Sequence, residues 1–553
     1  MAAALVAGLA EPAEAQQLRL RFVEPSGPLD HYVDARAADL LGQQDRAAER
    51  YVDWVRASTA PDAEMEQRAA SAAIAAGRFD LARQIAGSSA SPDEFGLDLR
   101  LLQLADTLRE QEYGEALSIL IDEDARIGLD FIEPFVRGWI DAETRSTDHA
   151  RRAARRIAGL PEERALFRQQ AEQAAFLYLA AGDVEEAARW TDPALSAAGP
   201  RETRLKLAFA DRFATLGRPD LATAILGGTD PILERARSRI DADEPLDMAV
   251  ATPAEALSEL LLGIALDIVR SGNQGEMPLL LAQVARAAAP DNDYAAILTG
   301  ALLSQAGRPD AALALYGAIP PSSLLASQAR DSEVQALVAA DRPADAVRVA
   351  RAALAASDRP TPGDHARLGD ALSAAGNHAD AADAYAYARG DRRDDWQLYF
   401  LEAAQREQAD EWPAARSLFQ HALALAPDQP LVLNYLGYAM LEAGEDTGLA
   451  SAFIRKASAL SPDSPAITDS LGWALYKIGD VDGAIEALAR ASQQAPSDPE
   501  IHEHYGDALF AAGHRMDARF AWNAALVYAD EDAARTRIED KIAYGLAPAN
   551  AAP

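Results

Sequence analysis

One spacing constrains this chain more than any other. Asp469-Ser470-Leu471-Gly472-Trp473-Ala474-Leu475 is followed by Ala484, Leu488, Ala491 and Pro496, and the pattern returns 34 residues later as Tyr505-Gly506, Leu509, Ala518, Trp522 and Ala525. Going backwards it recurs as Leu436-Gly437, Ala450, Ala457 and Pro462, with one inserted residue near 445–448. Before that come Ala403, Ala415, Phe419, Ala422 and Pro427, and then Leu368-Gly369, Leu372, Ala381, Tyr385 and Ala388. A fixed period of this length marks a repeat architecture in which each unit buries its apolar stripe only against its neighbours. Counted from the residue seven before each glycine-type position, units start near 362, 396, 430, 465 and 499. Phased units precede them near 259, 293 and 327, and a looser series starts near 28, 63, 97, 131, 168 and 203.

Within a unit, positions 4, 7, 8 and 11 share one helical stripe, the face that must be buried. Position 8 is Gly369, Gly437, Gly472 and Gly506; position 20 is Ala381, Ala415, Ala450, Ala484 and Ala518; Pro427, Pro462 and Pro496 close the second helix. Small residues at positions 8 and 20 let two helices approach closely, while bulky residues at position 24 such as Phe419 and Trp522 fill the space beside them. In the N-terminal half the rhythm is carried by Gly42, Gly77, Gly138, Gly182 and Gly217 with their following alanines.

These motifs resemble the tetratricopeptide repeat (TPR), a 34-residue helix-turn-helix. The resemblance covers nearly the whole chain and implies an all-α fold, an α-solenoid of stacked units wound into a right-handed superhelix. The domain reading is a leader or tail over 1–27, an N-terminal degenerate array over 28–228, an interruption over 229–256, a C-terminal array over 257–532, and a capping helix and tail over 533–553. Gly227-Gly228, Pro231, Pro245 and Pro253 crowd the interruption, which reads equally as an irregular hinge or a degenerate repeat. Ile538 and Ile542 stand four apart among charged residues, as in a cap with a polar outer face.

Composition narrows the function. The 553 residues carry 86 acidic and 52 basic side chains, a net charge of −34, and no cysteine. That charge repels phosphate backbones, so no nucleic-acid partner is expected. Without cysteine there is no disulfide, thiolate metal site or cysteine nucleophile. Because repeats tile from about 28 to 532, no segment has room for a separate catalytic domain. The dinucleotide, Walker A, serine-hydrolase and zinc-protease motifs are all missing, and no catalytic residue, cofactor or metal is assigned. In His502-Glu503-His504 the histidines point to opposite sides of a helix, which disfavours a shared metal, and Arg389-Gly390-Asp391 reads as a solvated inter-unit boundary.

A row beside the buried stripe is more informative. Positions 2, 5, 9 and 12 of the first helices lie roughly 100° to 160° round from the stripe centre and need not be core, and the last three of these carry the candidate residues. They hold Phe400; Asn434 and Tyr438; Asp469, Trp473 and Tyr476; and Glu503, Asp507 and Phe510. In tetratricopeptide repeats this row faces the concave groove, so the resemblance implies that these nine residues meet a partner protein or extended peptide. Aromatic rings suit apolar side chains, and amide and carboxylate groups suit backbone N–H groups or basic residues. The competing reading packs Tyr438 and Trp473 against the next unit. Relatives that clamp a terminal carboxylate use lysine and arginine in this row; Asn434, Asp469 and Glu503 depart from that.

The runs Pro430 to Tyr438, Asp469 to Trp473 and His504 to Leu509 resemble proteobacterial multi-repeat envelope proteins, some of them lipoprotein adaptors for a processing protease. That resemblance implies a non-catalytic scaffold, with an envelope protease or assembly factor among the candidate partners. The anchoring cysteine of a lipoprotein is absent here. Apolar Ala2–Ala10 followed by Ala13-Glu14-Ala15 fits a leader cleaved near Ala15, although no basic residue precedes Arg19. Cleavage implies a periplasmic or envelope location with no transmembrane segment in the mature chain. A retained alanine-rich tail implies a cytoplasmic assembly or regulatory scaffold. A glycan or small-molecule binder, or an enzyme using the aromatic row, is the remaining class.

Overall fold

The computed structural model describes residues 27–41, 43–59, 61–89, 94–121, 128–160, 169–272, 275–357, 360–390 and 394–546. The leader reading, Gly42, Asp391 and the tail after 546 lie outside the described residues. The described elements are helices, with no strand among them. The chain is all-α, built as a succession of antiparallel helix pairs, and it divides into two compact units, 1–340 and 341–553.

In the first unit the pairs are α1 (Pro28–Leu40) with α2 (Gln44–Ala57), α3 (Ala63–Ala75) with α4 (Phe79–Ser88), and α5 (Leu97–Arg109) with α6 (Tyr113–Leu120). They continue as α7 (Glu133–Thr144) with α8 (Thr147–Ala158), α9 (Gln170–Ala180) with α10 (Val184–Ala198), and α11 (Glu202–Thr215) with α12 (Pro219–Ile225). Next come α13 (Pro231–Asp241), α14 (Pro253–Arg270), α15 (Met277–Ala288), α16 (Asp293–Gln305), α17 (Pro309–Ala318) and α18 (Ala326–Ala339).

The interruption is partly helical. Segment 231–241 is the helix α13, which buries Leu233 and Ala236 against α11 and α12. Irregular chain follows to Thr252, pinned by buried Leu246 and Val250. Residues on both sides of 229–256 belong to one compact unit, and the division falls instead between Ala340 and Asp341. The physical reason is α14, which buries residues around its whole circumference, Ala256, Leu257, Leu260, Leu261 and Leu262 among them. With α15 it packs on α3, α5 and α7, the first helices of the N-terminal pairs. Gln173 Nε2 donates to the Ala256 carbonyl at 3.4 Å, Gln283 Nε2 to that of Ala75 at 3.1 Å, and Arg109 to that of Ala287 at 3.3 Å.

A buried ion cluster adds to this seam. Arg201 donates to both oxygens of Glu172 at 2.9 Å and to Glu259 at 2.6 Å, and Arg204 reaches Glu259 at 2.9 Å. Burial pushes the Glu172 carboxyl above its usual range despite Arg201. At Glu259 burial pushes the same way, but Arg204 and Arg201 outweigh it and hold the group below its usual range.

The second unit opens with α19 (Pro343–Ala356), which packs on α20 (Pro362–Ala374), and continues with α21 (His378–Arg389), α22 (Trp396–Gln408), α23 (Trp412–Leu425), α24 (Pro430–Glu442) and α25 (Thr447–Leu460) in sequence. After them come α26 (Pro465–Lys477), α27 (Val481–Gln494), α28 (Pro499–Ala511), α29 (Arg515–Tyr528) and the terminal α30 (Asp532–Tyr544). Each packs on its immediate neighbours in sequence, the contact pattern of a solenoid.

Sequence sets both ends of these helices. Proline opens α20, α24, α26 and α28 where no N–H is needed, and Thr361, Ser464 and Asp498 cap three of them. The turn to the second helix needs a left-handed residue at position 15, supplied by Gly479 at φ +85° and Gly513 at φ +88°. Gln111, Asp341 and Asp410 take the same conformation without being glycine. At the crossings, a Cβ on Gly369 would lie 2.7 Å from the Tyr385 ring and one on Gly437 2.7 Å from Ile454. Leu488 covers Gly472 and Trp522 covers Gly506 in the same way. Ala381, Ala415, Ala450, Ala484 and Ala518 are fully buried, while Pro427, Pro462 and Pro496 are exposed in the turns.

Candidate functional site

The nine row residues come together along α22, α24, α26 and α28, but six of them (Phe400, Asn434, Asp469, Tyr476, Glu503 and Asp507) are buried. Tyr438, Trp473 and Phe510 are half-buried. The reason is the period itself. A side chain at position 5 or 9 of one unit lies beside its counterpart in the next, so the row is also the seam between repeats.

Phe400 packs edge-on to Tyr435 with centroids 5.1 Å apart and tilted against Phe419 at 5.9 Å. Asp469 accepts from His504 Nδ1 at 3.0 Å, and the His504 ring stacks on Trp473 at 4.2 Å. Burial lowers the His504 pKa, but Asp469, then Glu500 and Asp507, outweigh it and raise the value above the usual one. Trp473 also stacks on Tyr476 at 5.2 Å, donates from Nε1 to Glu442 at 2.9 Å, and has Lys477 over its ring at 4.7 Å.

The last unit is tied to α30. Arg537 reaches both oxygens of Glu503 at 2.8 Å, and Lys541 lies 2.7 Å from Glu503 and from Asp507. Burial would raise the Glu503 carboxyl, yet Arg537 and Lys541 bring it down to about 2. At Asp507 burial wins over Lys541 and raises the group; its other oxygen accepts from Trp522 Nε1 at 2.9 Å. Phe510 tilts against Trp522 at 5.5 Å.

What stays open lies around Tyr438 and Trp473. Tyr438 donates to Glu500 at 3.3 Å, across the intervening unit; burial, then Glu500, Glu442 and Asp469, push its hydroxyl pKa up. Glu500 and Glu442 expose 65% and 46% of their side chains, and Leu431 and Tyr435 are exposed beside them. The candidate row did not include these four residues. They occupy positions 2, 6 and 13 of the same helices, so the same periodic count locates them. Asn434 Oδ1 is buried in this region with no hydrogen-bond donor.

No family model matches the chain, and no curated protein matches it. Among solved structures it is similar to YrrB, a TPR protein with an unusual peptide-binding site. That match has 16% identity and a TM-score of 0.26, covering 32% of this chain and 91% of that one. It is similar also to the APC/C hetero-tetramer Cut9-Hcn1 (16% identity, TM-score 0.39, 94% of this chain and 96% of that one) and to Pseudomonas aeruginosa PilF (18%, 0.29, 33% and 82%).

The remaining candidate motifs resolve locally. His502 Nε2 lies 3.0 Å from the Pro496 carbonyl while His504 faces Asp469, and Arg389 donates to Glu402 at 2.8 Å. Among the described residues no group of three His, Cys, Asp or Glu is placed to hold a metal, and no helix is long and apolar enough to cross a membrane.

Proposed function

We propose that this chain is a non-catalytic scaffold that holds an extended segment of a partner protein against α24, α26 and α28. The observation that carries this reading is the half-buried pair Tyr438 and Trp473 with exposed carboxylates beside them, Trp473 donating to Glu442 at 2.9 Å and Tyr438 to Glu500 at 3.3 Å. These rings and acids, with the exposed Tyr435, suit a segment with apolar and basic side chains. In the first unit, α14 and α15 pack on the corresponding first helices α3, α5 and α7.

The reading places the protein in the periplasm on the strength of the Ala13-Glu14-Ala15 pattern; N-terminal sequencing of the native protein tests that, a start at Gln16 supporting it and a retained Met1 refuting it. Crosslinking with mass spectrometry names the partner. Tyr438→Ala with Trp473→Ala is then expected to weaken its capture at unchanged helicity. Undiminished capture by the double variant would remove the groove from the account.

A further inference from the structure

The chain has four lysines, and three of them rest directly on carboxylates: Lys206 on Glu202 at 2.6 Å, Lys456 on Asp428 at 2.8 Å, and Lys541 on Glu503 and Asp507 at 2.7 Å. Lys477, the last residue of α26, is held more loosely. Its ammonium stands over the Trp473 ring, 4.7 Å from the centroid, and its approach to a carboxylate is 3.9 Å, to Glu442 Oε1. The same oxygen accepts from Trp473 Nε1 at 2.9 Å, so one indole and one carboxylate together form a seat for a cation. The seat lies at the surface, with 39% of the Lys477 side chain and 46% of the Glu442 side chain exposed. A second exposed acid, Glu500, is oriented by Tyr438 through its own Oε1. Among the described residues neither acid makes a contact through Oε2.

On the reading that the groove along α24, α26 and α28 captures a partner, we propose that the bound segment presents an arginine to this seat and displaces Lys477 from it. Charge selects a basic occupant. Glu442 and Glu500 outnumber Lys477 at the surface, and the deeper Asp469 is already paired with His504. An acidic segment would gain one ammonium and face two carboxylates. Shape then selects arginine over lysine. A guanidinium is flat, so it stacks on an indole; it is weakly hydrated; and its fork spans both oxygens of a carboxylate, whereas Lys477 meets Glu442 through one. Lys477 loses little by leaving. An exposed ion pair at 3.9 Å and an exposed cation–π contact are each weak, and the ammonium regains water as its flexible stem swings out. The lysine thus keeps the place of the partner's cation until capture.

Fluorescence anisotropy of the full chain with short labelled peptides, leucine alternating with arginine, lysine, glutamine or glutamate, tests this. The arginine peptide is expected to bind about tenfold more tightly than the glutamine peptide, with the lysine peptide between them. Lys477→Met vacates the seat, so the arginine peptide binds several-fold more tightly while the glutamine peptide and the melting temperature hold. Glu442→Gln brings the arginine and glutamine peptides level. Equal binding of those two peptides to the unaltered chain, a preference for glutamate, or no binding by any of them overturns the proposal. So does an arginine peptide that Lys477→Met leaves unchanged or weakens. A partner that crosslinks to α24, α26 and α28 but is captured equally well after Lys477→Met and Glu442→Gln removes the arginine and leaves the scaffold standing, whereas crosslinks confined to other helices fail the groove itself.

Discussion

Arg537 sits bidentate on Glu503, 34 residues before it, with both N–O distances 2.8 Å. The terminal helix therefore takes the place of the next repeat, with Arg537 at position 5 and Lys541 at position 9, reversing the sign of the acids they cover.

Acid should loosen this cap. Because the folded carboxyl of Glu503 lies at about 2, below its ordinary 4.5, its stabilising contribution is present above pH ~4.5 and is lost as pH falls towards 2. Glu503→Gln is expected to cost about 3 kcal/mol near neutrality and progressively less in acid. Thermal melts of the two proteins from pH 7 to 3 check this; parallel curves would contradict it.

His504 acts in the opposite direction. Its pKa is raised in the fold, so its pairing with Asp469 stabilises fully below pH ~6.5 and fades as pH climbs through the folded value. Asp469→Asn is expected to flatten the decline in melting temperature between pH 6 and 9 and to lower the imidazole pKa read by NMR titration.

At the helix crossings there is no room for a side chain. Gly506→Ala or Gly472→Leu is expected to destabilise by ~1–3 kcal/mol through overpacking against Trp522 or Leu488, seen as a lower urea midpoint.

The left-handed turn at Gln111, φ +62°, invites the reverse change. Gln111→Gly is expected to stabilise by about 1 kcal/mol, less than the full relief because glycine loses more freedom on folding. A higher melting temperature checks it.

The repeat phase was legible because it is a packing rule. Unit starts counted at 293, 362, 396, 430, 465 and 499 coincide with the first residues of α16, α20, α22, α24, α26 and α28. The count at 259 lands inside α14, which begins at Pro253 and answers to a long-range surface instead of the period. Only Glu259 within that apolar run hinted at it, and its partners Arg201 and Arg204 lie more than fifty residues away. The acids of the row looked free when each helix was considered alone. Adding 34 to 503 and 507 finds Arg537 and Lys541, so the same arithmetic that located the repeats also located the groups that occupy part of their inner face.

Covering α3, α5 and α7 with α14 and α15 has a consequence for how the first unit comes apart. An open stack can fray from its end one pair at a time, each loss affecting a single neighbour. Here the later helices fasten the earlier ones together, with Glu259 held between Arg201 and Arg204, so the stack becomes a closed circuit. Deleting either member should bring down the whole circuit in one cooperative step, whereas the second unit should shed its pairs gradually from the Asp532–Tyr544 end.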